Sequence, residues 1–458
     1  MTLLAFLLLF SAAVLGYVLN LQAARSIRGG GARLHSLAGF HGTFAALSVF
    51  VPAFVFVLLW LVFQGQVIDS LVMGGLPRVE TEGVETGAAQ LILAEIKSIA
   101  GGRIFGQAEP FKVEAAERLV GLRATSANLM IALLFALLAV LLFNARRRVS
   151  AEFRARQASE NIIKGLMIFC STVAIFTTIG IIASLVFETF RFFTMVPWYD
   201  FLFGTRWEPQ MPIRADQIAA EGAFGLIPVF LGTLVITVVA LTFAVPVGLF
   251  SAIYLNEFAS PGFRKVAKPV LEVLAGVPTV VYGFFAVLTI APALRQFGEM
   301  TGLPIAPNTA MAAGLVMGVM LIPFISSFAD DALSAVPQSL RDGALALGAT
   351  RGETVLNVLF PAAIPGIVGG VLLAVSRAIG ETMIVVMAAG LIAKMTINPL
   401  DSVTTVTVQI VTLLIGDTSF DSPKTLAAFA LGFMLFIVTL GINVLALRIV
   451  HKYREIYD

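Results

Sequence analysis

The sequence predicts an all-α polytopic membrane protein with about nine transmembrane helices. Of the 458 residues, 58% are hydrophobic and only 13% are charged, against roughly 45–50% and about 25% in ordinary soluble domains. The apolar residues also form blocks of about 20 or more, enough at about 1.5 Å per residue to cross a hydrocarbon core of roughly 30 Å. This composition excludes a soluble enzyme and favours membrane-spanning helices over barrel strands.

The order of apolar blocks and basic clusters predicts the spans and their direction. Lys and Arg near span ends are retained in the cytoplasm, and the basic clusters follow the first, third, fifth and ninth spans. This predicts an external N-terminus and a cytoplasmic C-terminus. A cleaved signal peptide is the alternative interpretation of residues 1–21, but no positive segment precedes that apolar stretch. The spans lie near residues 3–21, 40–64, 127–143, 162–187, 223–254, 271–294, 308–327, 364–392 and 426–449, and the clusters are Arg25, Arg28 and Arg33, then Arg146, Arg147, Arg148, Arg154 and Arg156, then Arg264, Lys265 and Lys268, then Arg448, Lys452 and Arg454.

The long basic stretch from Arg146 to Lys164 predicts a division of the chain near residue 160. Residues 1–160 then form an N-terminal extension with about three spans. Within it, the charge-rich segment near 65–126 would face outside, and its pattern indicates no particular chemistry. Residues 161–458 form a second part with six spans.

No cofactor or metal site is predicted in this chain. Gly101 and Gly106 have the spacing of a phosphate-binding P-loop, but Gln107 and Ala108 stand where Lys and Ser or Thr are required. Cys170 is the sole cysteine and lies in an apolar run, so we expect it to be an inert packing residue. The three histidines are dispersed along the chain, so they predict no shared metal site. A net charge of +2 does not indicate binding to nucleic acid.

Two charges lie deep in the apolar stretch 364–392, Arg377 about halfway along it and Glu381 one turn further on. Each costs roughly 2.5–3.5 kcal/mol at a helix centre, so a partner or a wet cavity must offset the cost. In a continuous helix the charges would share one sector of roughly 80° with small residues. Because the two charges share a helix face with small residues, we expect Arg377 and Glu381 to point into the protein and not at lipid. The residues of this sector are Gly366, Gly370, Ala374, Arg377, Glu381 and Ala388.

Two interpretations of this pair remain open. Arg377 and Glu381 could be an i,i+4 ion pair that neutralises itself and holds helices together. Alternatively, Arg377 lowers the barrier to an anion near mid-membrane, because its planar N–H fork suits a tetrahedral oxyanion. Glu381 would then restrain Arg377 or accept a proton carried by the substrate. The second interpretation predicts that both residues form a substrate path or gate.

Residues 330–363 are too polar to cross a membrane but rich in Ala and Leu, which predicts short helices on the cytoplasmic surface. Their order resembles the coupling loop of ABC importer permeases, E-A-A with a Gly six positions after the Glu and then I-x-L-P. In this sequence Asp342 replaces the Glu of that pattern, Gly343 replaces its first Ala, and Phe360 replaces its Leu. The resemblance implies insertion into a groove of a separate ATPase, whereas a plain amphipathic surface helix would not need this spacing. The matching positions are Asp342, Gly343, Ala344, Gly348, Val358 and Pro361.

Three further stretches resemble the PstC type of phosphate importer permease. The resemblance covers roughly residues 160–458 and implies a six-helix type I ABC importer permease core. It also implies a second permease of the PstA type, a dimer of PstB-type ATPase subunits that bind ATP and Mg, and an external PstS-type phosphate-binding protein. The N-terminal spans depart from that core, and their role stays open. The stretches are WYDFLFGTRWEP at 198–209, YLNEFASPGFRKVAKPVLEVLAGVPTVVYGFF at 254–285 and SRAIGETM at 376–383.

The sequence therefore predicts a permease subunit of an ATP-driven phosphate importer in the bacterial inner membrane, in contact with lipid and without bond chemistry of its own. Pro246 should kink the span 223–254, which could serve alternating access or only structure. Three alternatives remain: a permease for sulfate or molybdate, a stand-alone anion carrier or channel, and a sensory or scaffolding membrane protein.

Overall fold

The computed structural model describes residues 2–76, 86–102, 109–209, 222–415 and 422–453. Within these ranges, nine helical stretches are long and apolar enough to cross a membrane, which confirms the predicted all-α polytopic fold. They are Thr2–Gly29, Ala38–Met73, Pro110–Arg147, Ala155–Met195, Leu226–Phe258, Thr279–Thr301, Ala310–Ser334, Arg351–Ile379 and Pro423–Lys452.

The chain folds as two compact units, unit 1 (Met1–Phe176) and unit 2 (Thr177–Asp458). The division falls inside one long helix, α5 (Ala155–Met195), whereas the sequence places it near residue 160, in the first turns of that helix. The most apolar part of α5 contains no buried residue. Cys170 lies there and is exposed, so the expectation that it packs inside this chain is wrong.

Unit 1 contains α1 (Thr2–Gly29), α2 (Ala38–Met73), α3 (Thr86–Ala100) and α4 (Pro110–Arg147). With 36 and 38 residues, α2 and α4 are about 54 and 57 Å long, far longer than a hydrocarbon core of roughly 30 Å. The described part of the segment near 65–126 is therefore mainly helical, and α3 packs on the extended ends of α2 and α4. This contact buries Ile68, Val72, Ile96, Ala115, Ala116 and Leu119.

Several residues considered above lie outside the described ranges. They are Gly106, Gln107 and Ala108 of the incomplete P-loop pattern, and Arg454 of the last basic cluster.

Unit 2 combines long membrane helices with short helices at their ends. Its only described strands, β1 (Trp207–Glu208) and β2 (Ala223–Phe224), form an antiparallel pair in which Trp207 is opposite Phe224. The helices are α6 (Trp198–Phe203), α7 (Leu226–Ile253), α8 (Pro261–Ala275), α9 (Thr279–Phe285), α10 (Ala291–Thr301), α11 (Ala310–Ser334), α12 (Gln338–Ala346), α13 (Arg351–Thr354), α14 (Phe360–Ile379), α15 (Met383–Ala388), α16 (Val406–Leu414) and α17 (Pro423–Tyr453).

Helix α11 is the most buried of the nine spans and forms the centre of unit 2. Its contact with α7 depends on two glycines. A Cβ atom at Gly314 would lie 2.6 Å from Val239 Cγ1, and one at Gly318 would lie 2.9 Å from the Ala240 carbonyl oxygen. Only glycine permits this helix separation, because any larger residue would force the two backbones apart.

Helical irregularities in unit 2 coincide with prolines. Three π-helical turns, Tyr254–Phe258, Ala286–Ile290 and Val355–Leu359, end three, two and two residues before a proline, respectively. A proline has no N–H to continue the i to i−4 pattern, and a wider turn accommodates the lost bond. In contrast, α7 continues through Pro246, which is exposed, and its use as a hinge remains a prediction.

Candidate functional site

The two charges of the apolar stretch 364–392 lie on either side of a helix break. Helix α14 ends at Ile379, Gly380 follows as its C-cap, and α15 begins at Met383. The predicted single helix is therefore wrong at this point, and so is the helical phase assigned to Glu381. Arg377 occupies the last turn of α14, while Glu381 lies in the break itself.

Hydrogen bonds within the segment and one from outside it stabilise this break. The carboxylate Oε1 of Glu381 accepts from the backbone N–H groups of Met383 at 3.0 Å and Ile384 at 3.4 Å, so it caps α15. The Thr407 hydroxyl donates to the Glu381 carbonyl oxygen at 2.8 Å. Backbone groups left without helical partners are costly inside a membrane protein, and these contacts satisfy several of them.

Arg377 is exposed on the surface of this chain, which corrects the expectation that it points into the protein. Its guanidinium carbon lies 5.8 Å from the centre of the Phe324 ring on α11. Among the described residues no ion pair joins Arg377 to Glu381. The self-neutralising i,i+4 pair considered above is therefore not present, because the break moves Glu381 off the surface of α14.

Small residues upstream of Arg377 do make the predicted close helix contacts. A Cβ atom at Gly366 would lie 2.7 Å from Ala332 Cβ, and one at Gly370 would lie 2.6 Å from Phe328 Cβ. Helix α14 thus packs tightly against α11, and this contact fixes where the end that carries Arg377 lies.

Beyond the break, α15 packs on α9, which brings together two of the stretches that carry the family resemblance. A Cβ atom at Gly283 would lie 2.6 Å from Met387 Sδ and 3.3 Å from the Met383 carbonyl oxygen. The Tyr282 hydroxyl donates to the Leu274 carbonyl oxygen at 2.7 Å, across the gap between α8 and α9.

The third stretch joins the same region through Gln409 on α16. Its side-chain oxygen accepts from Trp207 Nε1 at 2.8 Å, and its amide nitrogen donates to the carbonyl oxygen of Leu391 at 2.9 Å and to the Thr404 hydroxyl at 3.0 Å. One buried side chain thus connects β1 with the segment after α15. The sequence indicates nothing special about Gln409, since its partners are distant in the chain.

The predicted coupling segment forms a helix, a tight turn and a second helix. Gly348 follows α12 with φ of +90°, a conformation that favours glycine. The N–H of Gly348 donates to the Leu345 carbonyl at 3.0 Å and that of Ala349 donates to the Ala344 carbonyl at 3.1 Å. This pair of bonds is a Schellman motif, which explains why the pattern has a glycine six positions after its acidic residue.

The surface of α12 is largely open. Asp342 and Gly343 are exposed, no residue of the helix is buried, and Leu347 at its end is 92% exposed. Arg341 forms an ion pair at 2.6 Å with Glu257, in the π-helical turn after α7. The geometry of this contact is that of an ion pair and not of a hydrogen bond. It links α12 to the membrane-spanning stretch Leu226–Phe258. Pro361 is the second residue of α14, directly after the π-helical turn Val355–Leu359 that accommodates its missing N–H.

A charged cluster at the same end of unit 2 was not predicted. Asp330 near the end of α11 is 8% exposed at its side chain and accepts from Lys268 Nζ at 2.8 Å and from Arg264 Nη2 at 3.0 Å. Asn256 also donates to Asp330, at 2.7 Å. These contacts attach the otherwise unburied α8 to α11, and the hydrogen bond to Asp330 raises the pKa of Lys268. Arg264 and Lys268 were recognisable in the sequence only as markers of the cytoplasmic side.

Comparison with known proteins places this geometry in a family. Residues 5–177 match a family described as "Phosphate ATP-binding cassette transporter", and residues 244–455 match one described as "Binding-protein-dependent transport system inner membrane component". The first match covers the N-terminal spans, which the sequence resemblance leaves aside.

Two individual relatives agree with these family matches. A probable ABC transporter permease protein of Bacillus subtilis, YqgH, is 30% identical over 324 residues, 69% of this chain and 100% of that protein. The phosphate transport system permease protein PstC of Xylella fastidiosa is 30% identical over 265 residues, 54% of this chain and 77% of that protein. A chain from an inward-facing MetNI methionine ABC transporter structure is 19% identical, with a TM-score of 0.37 over 50% of this chain and 95% of that chain.

The family matches and the permease relatives define a class, the membrane-spanning subunits of binding-protein-dependent ABC importers. This class implies an ATPase and a binding protein as partners. Within it, the chain belongs to the family of phosphate transport permeases of the PstC type.

Proposed function

We propose that this chain forms half of the translocation path of an ATP-driven phosphate importer and moves phosphate by changing conformation, without bond chemistry. The observation that carries this proposal is the environment of Arg377. Its permanent charge lies in an apolar stretch, is exposed on the single chain, and has no carboxylate partner among the residues that the structure describes. Such a charge is too costly to face lipid, so it is expected to face a wet path shared with a second permease.

The chemistry of Arg377 suits the proposed substrate. A guanidinium offers a planar fork of N–H donors to a tetrahedral oxyanion, and it stays charged at any physiological pH. Glu381 follows four residues later and caps α15 through one carboxylate oxygen. Phosphate at neutral pH carries a proton that sulfate lacks, and the carboxylate of Glu381 would accept a hydrogen bond from it. Arg377 and Glu381 are therefore the proposed gate.

Energy would enter through α12 and the turn that follows it. Exposed apolar side chains beside a rigid turn offer a surface for a groove of a PstB-type ATPase dimer, which would bind ATP and Mg, while this chain holds neither. The Arg341–Glu257 ion pair would transmit movement of α12 to α7, where Pro246 provides a weak point. The coupling residues are Asp342, Gly343, Ala344, Gly348 and Pro361.

The remaining assignments follow from charge and family. The basic clusters favour an external N-terminus and a cytoplasmic C-terminus in a bacterial inner membrane. The second permease would be of the PstA type, and the external phosphate-binding protein of the PstS type. The two permeases would expose the gate alternately to each side.

Phosphate uptake by intact cells tests the gate. We expect Arg377→Ala to abolish uptake while the amount of protein in the membrane stays normal, and Arg377→Lys to restore part of it because a charge without a planar fork remains. Arg295→Ala, an exposed arginine on α10, is the matched control and should transport normally. Normal phosphate uptake by Arg377→Ala would contradict the proposal that Arg377 is part of the gate.

A further inference from the structure

Two adjoining cavities lie where α2 and α4 extend beyond the length needed to cross a membrane, and the transport mechanism uses neither. The polar cavity has a volume of about 350 Å³ and the apolar cavity about 390 Å³. Gln64 and Ile68 line both of them. The charged residues of the polar cavity are Asp69, Lys97 and Arg123, and the apolar cavity is lined by Trp60, Phe63, Val67, Leu71, Leu122 and Leu129 among others.

The polar cavity has an excess of positive charge. Lys97 Nζ lies 2.7 Å from Asp69 Oδ2, so these two charges neutralise each other. Arg123 is exposed and forms no ion pair within the described ranges, which leaves one positive charge from two cations and one anion. A guanidinium with free N–H groups favours an oxyanion of the phosphate type.

A short chain of hydrogen bonds lines the apolar cavity and ends at Gln64, which the two cavities share. Trp60 Nε1 donates to the Ser126 hydroxyl at 3.2 Å, and that hydroxyl donates to Gln64 Oε1 at 3.5 Å. The side-chain oxygen of Gln64 already accepts this hydrogen bond, so its NH₂ group can donate to an anion. Gln64 therefore adds neutral donors to the charge of Arg123.

One end of the apolar cavity lies at the depth of the membrane interface. Trp60 lies 22 residues after Ala38, the start of α2, which is about 33 Å along the helix and close to the thickness of a hydrocarbon core, roughly 30 Å. Tryptophan is enriched at that level. Phe63, Val67 and Leu71 continue the apolar surface beyond it, and all three are exposed.

We propose that unit 1 binds one anionic phospholipid, whose phosphate meets Arg123 and Gln64 and whose acyl chain occupies the apolar cavity. Free phosphate shares the headgroup chemistry, but it would leave the adjoining apolar cavity empty. A lipid would fill both cavities, because its charged and apolar parts are covalently joined and the two cavities share Gln64 and Ile68 in their linings.

Fluorescence of Trp60 tests this assignment. The permease complex is reconstituted in phosphatidylcholine vesicles that contain brominated phosphatidylglycerol or, separately, brominated phosphatidylcholine, and the Trp60 signal is the difference from Trp60→Phe. We expect the anionic lipid to quench at a lower mole fraction, and Arg123→Gln to raise that fraction roughly fivefold. Arg118→Gln on the same helix lines neither cavity and should change nothing.

A second variant separates headgroup from chain. Val67→Phe should fill the apolar cavity and reduce quenching by brominated chains, while thermal unfolding confirms that each variant is folded. Equal quenching by both lipids, or a preference for the anionic lipid that survives Arg123→Gln, overturns the proposal. Relief of quenching by excess inorganic phosphate would assign the polar cavity to free phosphate and overturn the lipid assignment.

Discussion

At the scale of single residues, the break at 380–382 places each charge at the helix end that stabilises it. Arg377 lies in the last turn of α14, where the helix dipole is negative, and Glu381 lies at the start of α15, where it is positive. The dipoles offset part of the cost that an apolar environment imposes. Arg377 followed by Gly380 is typical of a helix C-terminus, and Glu381 is typical of the first turn of a new helix. This order could have indicated the break from the sequence.

Glu381→Gln separates the capping role of this residue from its charge. Glutamine keeps a side-chain oxygen that can accept from the Met383 N–H, so we expect normal protein levels. If the carboxylate recognises the proton of the substrate, discrimination between phosphate and sulfate should fall. Competition uptake with the two anions measures this, and unchanged discrimination would leave Glu381 a structural residue only.

Asp330→Asn should loosen α8. The substitution removes the anion shared by Arg264 and Lys268, and both cations are more than a third exposed, so they turn to water. We expect the local opening free energy of α8 to fall by roughly 0.5–1.5 kcal/mol, the net contribution of a typical intramolecular hydrogen bond. Hydrogen exchange over Pro261–Ala275 measures the change. Asp331→Asn, its exposed neighbour, is the control, and equal exchange in the two variants would contradict this role.

At the scale of elements, turn geometry decides how the coupling segment is presented. The Schellman motif at the end of α12 fixes the direction in which α13 begins, and a capping box between Thr350 and Glu353 starts that helix. Two adjacent caps leave little freedom between the helices. The orientation of α12 relative to α13 is therefore rigid.

Substitutions at Gly348 test this rigidity. Alanine in a left-handed conformation costs about 1–2 kcal/mol, so Gly348→Ala should weaken co-purification of the ATPase, and Gly348→Trp should abolish it while the protein stays in the membrane. Gly348→Asn should be tolerated better. Gly352→Ala, where nothing crowds an added Cβ atom, is the control. Normal co-purification with Gly348→Trp would count against docking at this turn.

At the scale of the whole molecule, the boundary between the two units coincides with the end of the N-terminal family match. Unit 1 ends at Phe176, and the N-terminal family match ends at residue 177. Each unit has its own buried clusters. Unit 2, which contains the break, the coupling segment and the Asp330 cluster, thus has a buried core of its own.

Deletion of residues 1–150 should therefore spare phosphate uptake. The truncated chain keeps α5 and all of unit 2, which contains the break, the coupling segment and the Asp330 cluster. We expect membrane insertion and uptake to persist, while any regulatory effect of unit 1 is lost. Uptake in cells that lack the full-length protein measures this, and loss of transport from a stably inserted protein would show that unit 1 takes part in transport itself.

By itself the sequence determined the nine spans, the charged stretch and the spacing of the coupling segment, because hydrophobicity, charge and glycine placement act over short stretches of chain. Only the tertiary structure decided the exposure of Arg377, the Asp330 cluster and the distant partner that stabilises the break before α15. These features depend on partners far away in the sequence, such as Thr407 for Glu381 and Lys268 for Asp330. A buried polar group takes whichever partner the packing of helices brings near, and helical periodicity contains no information about that.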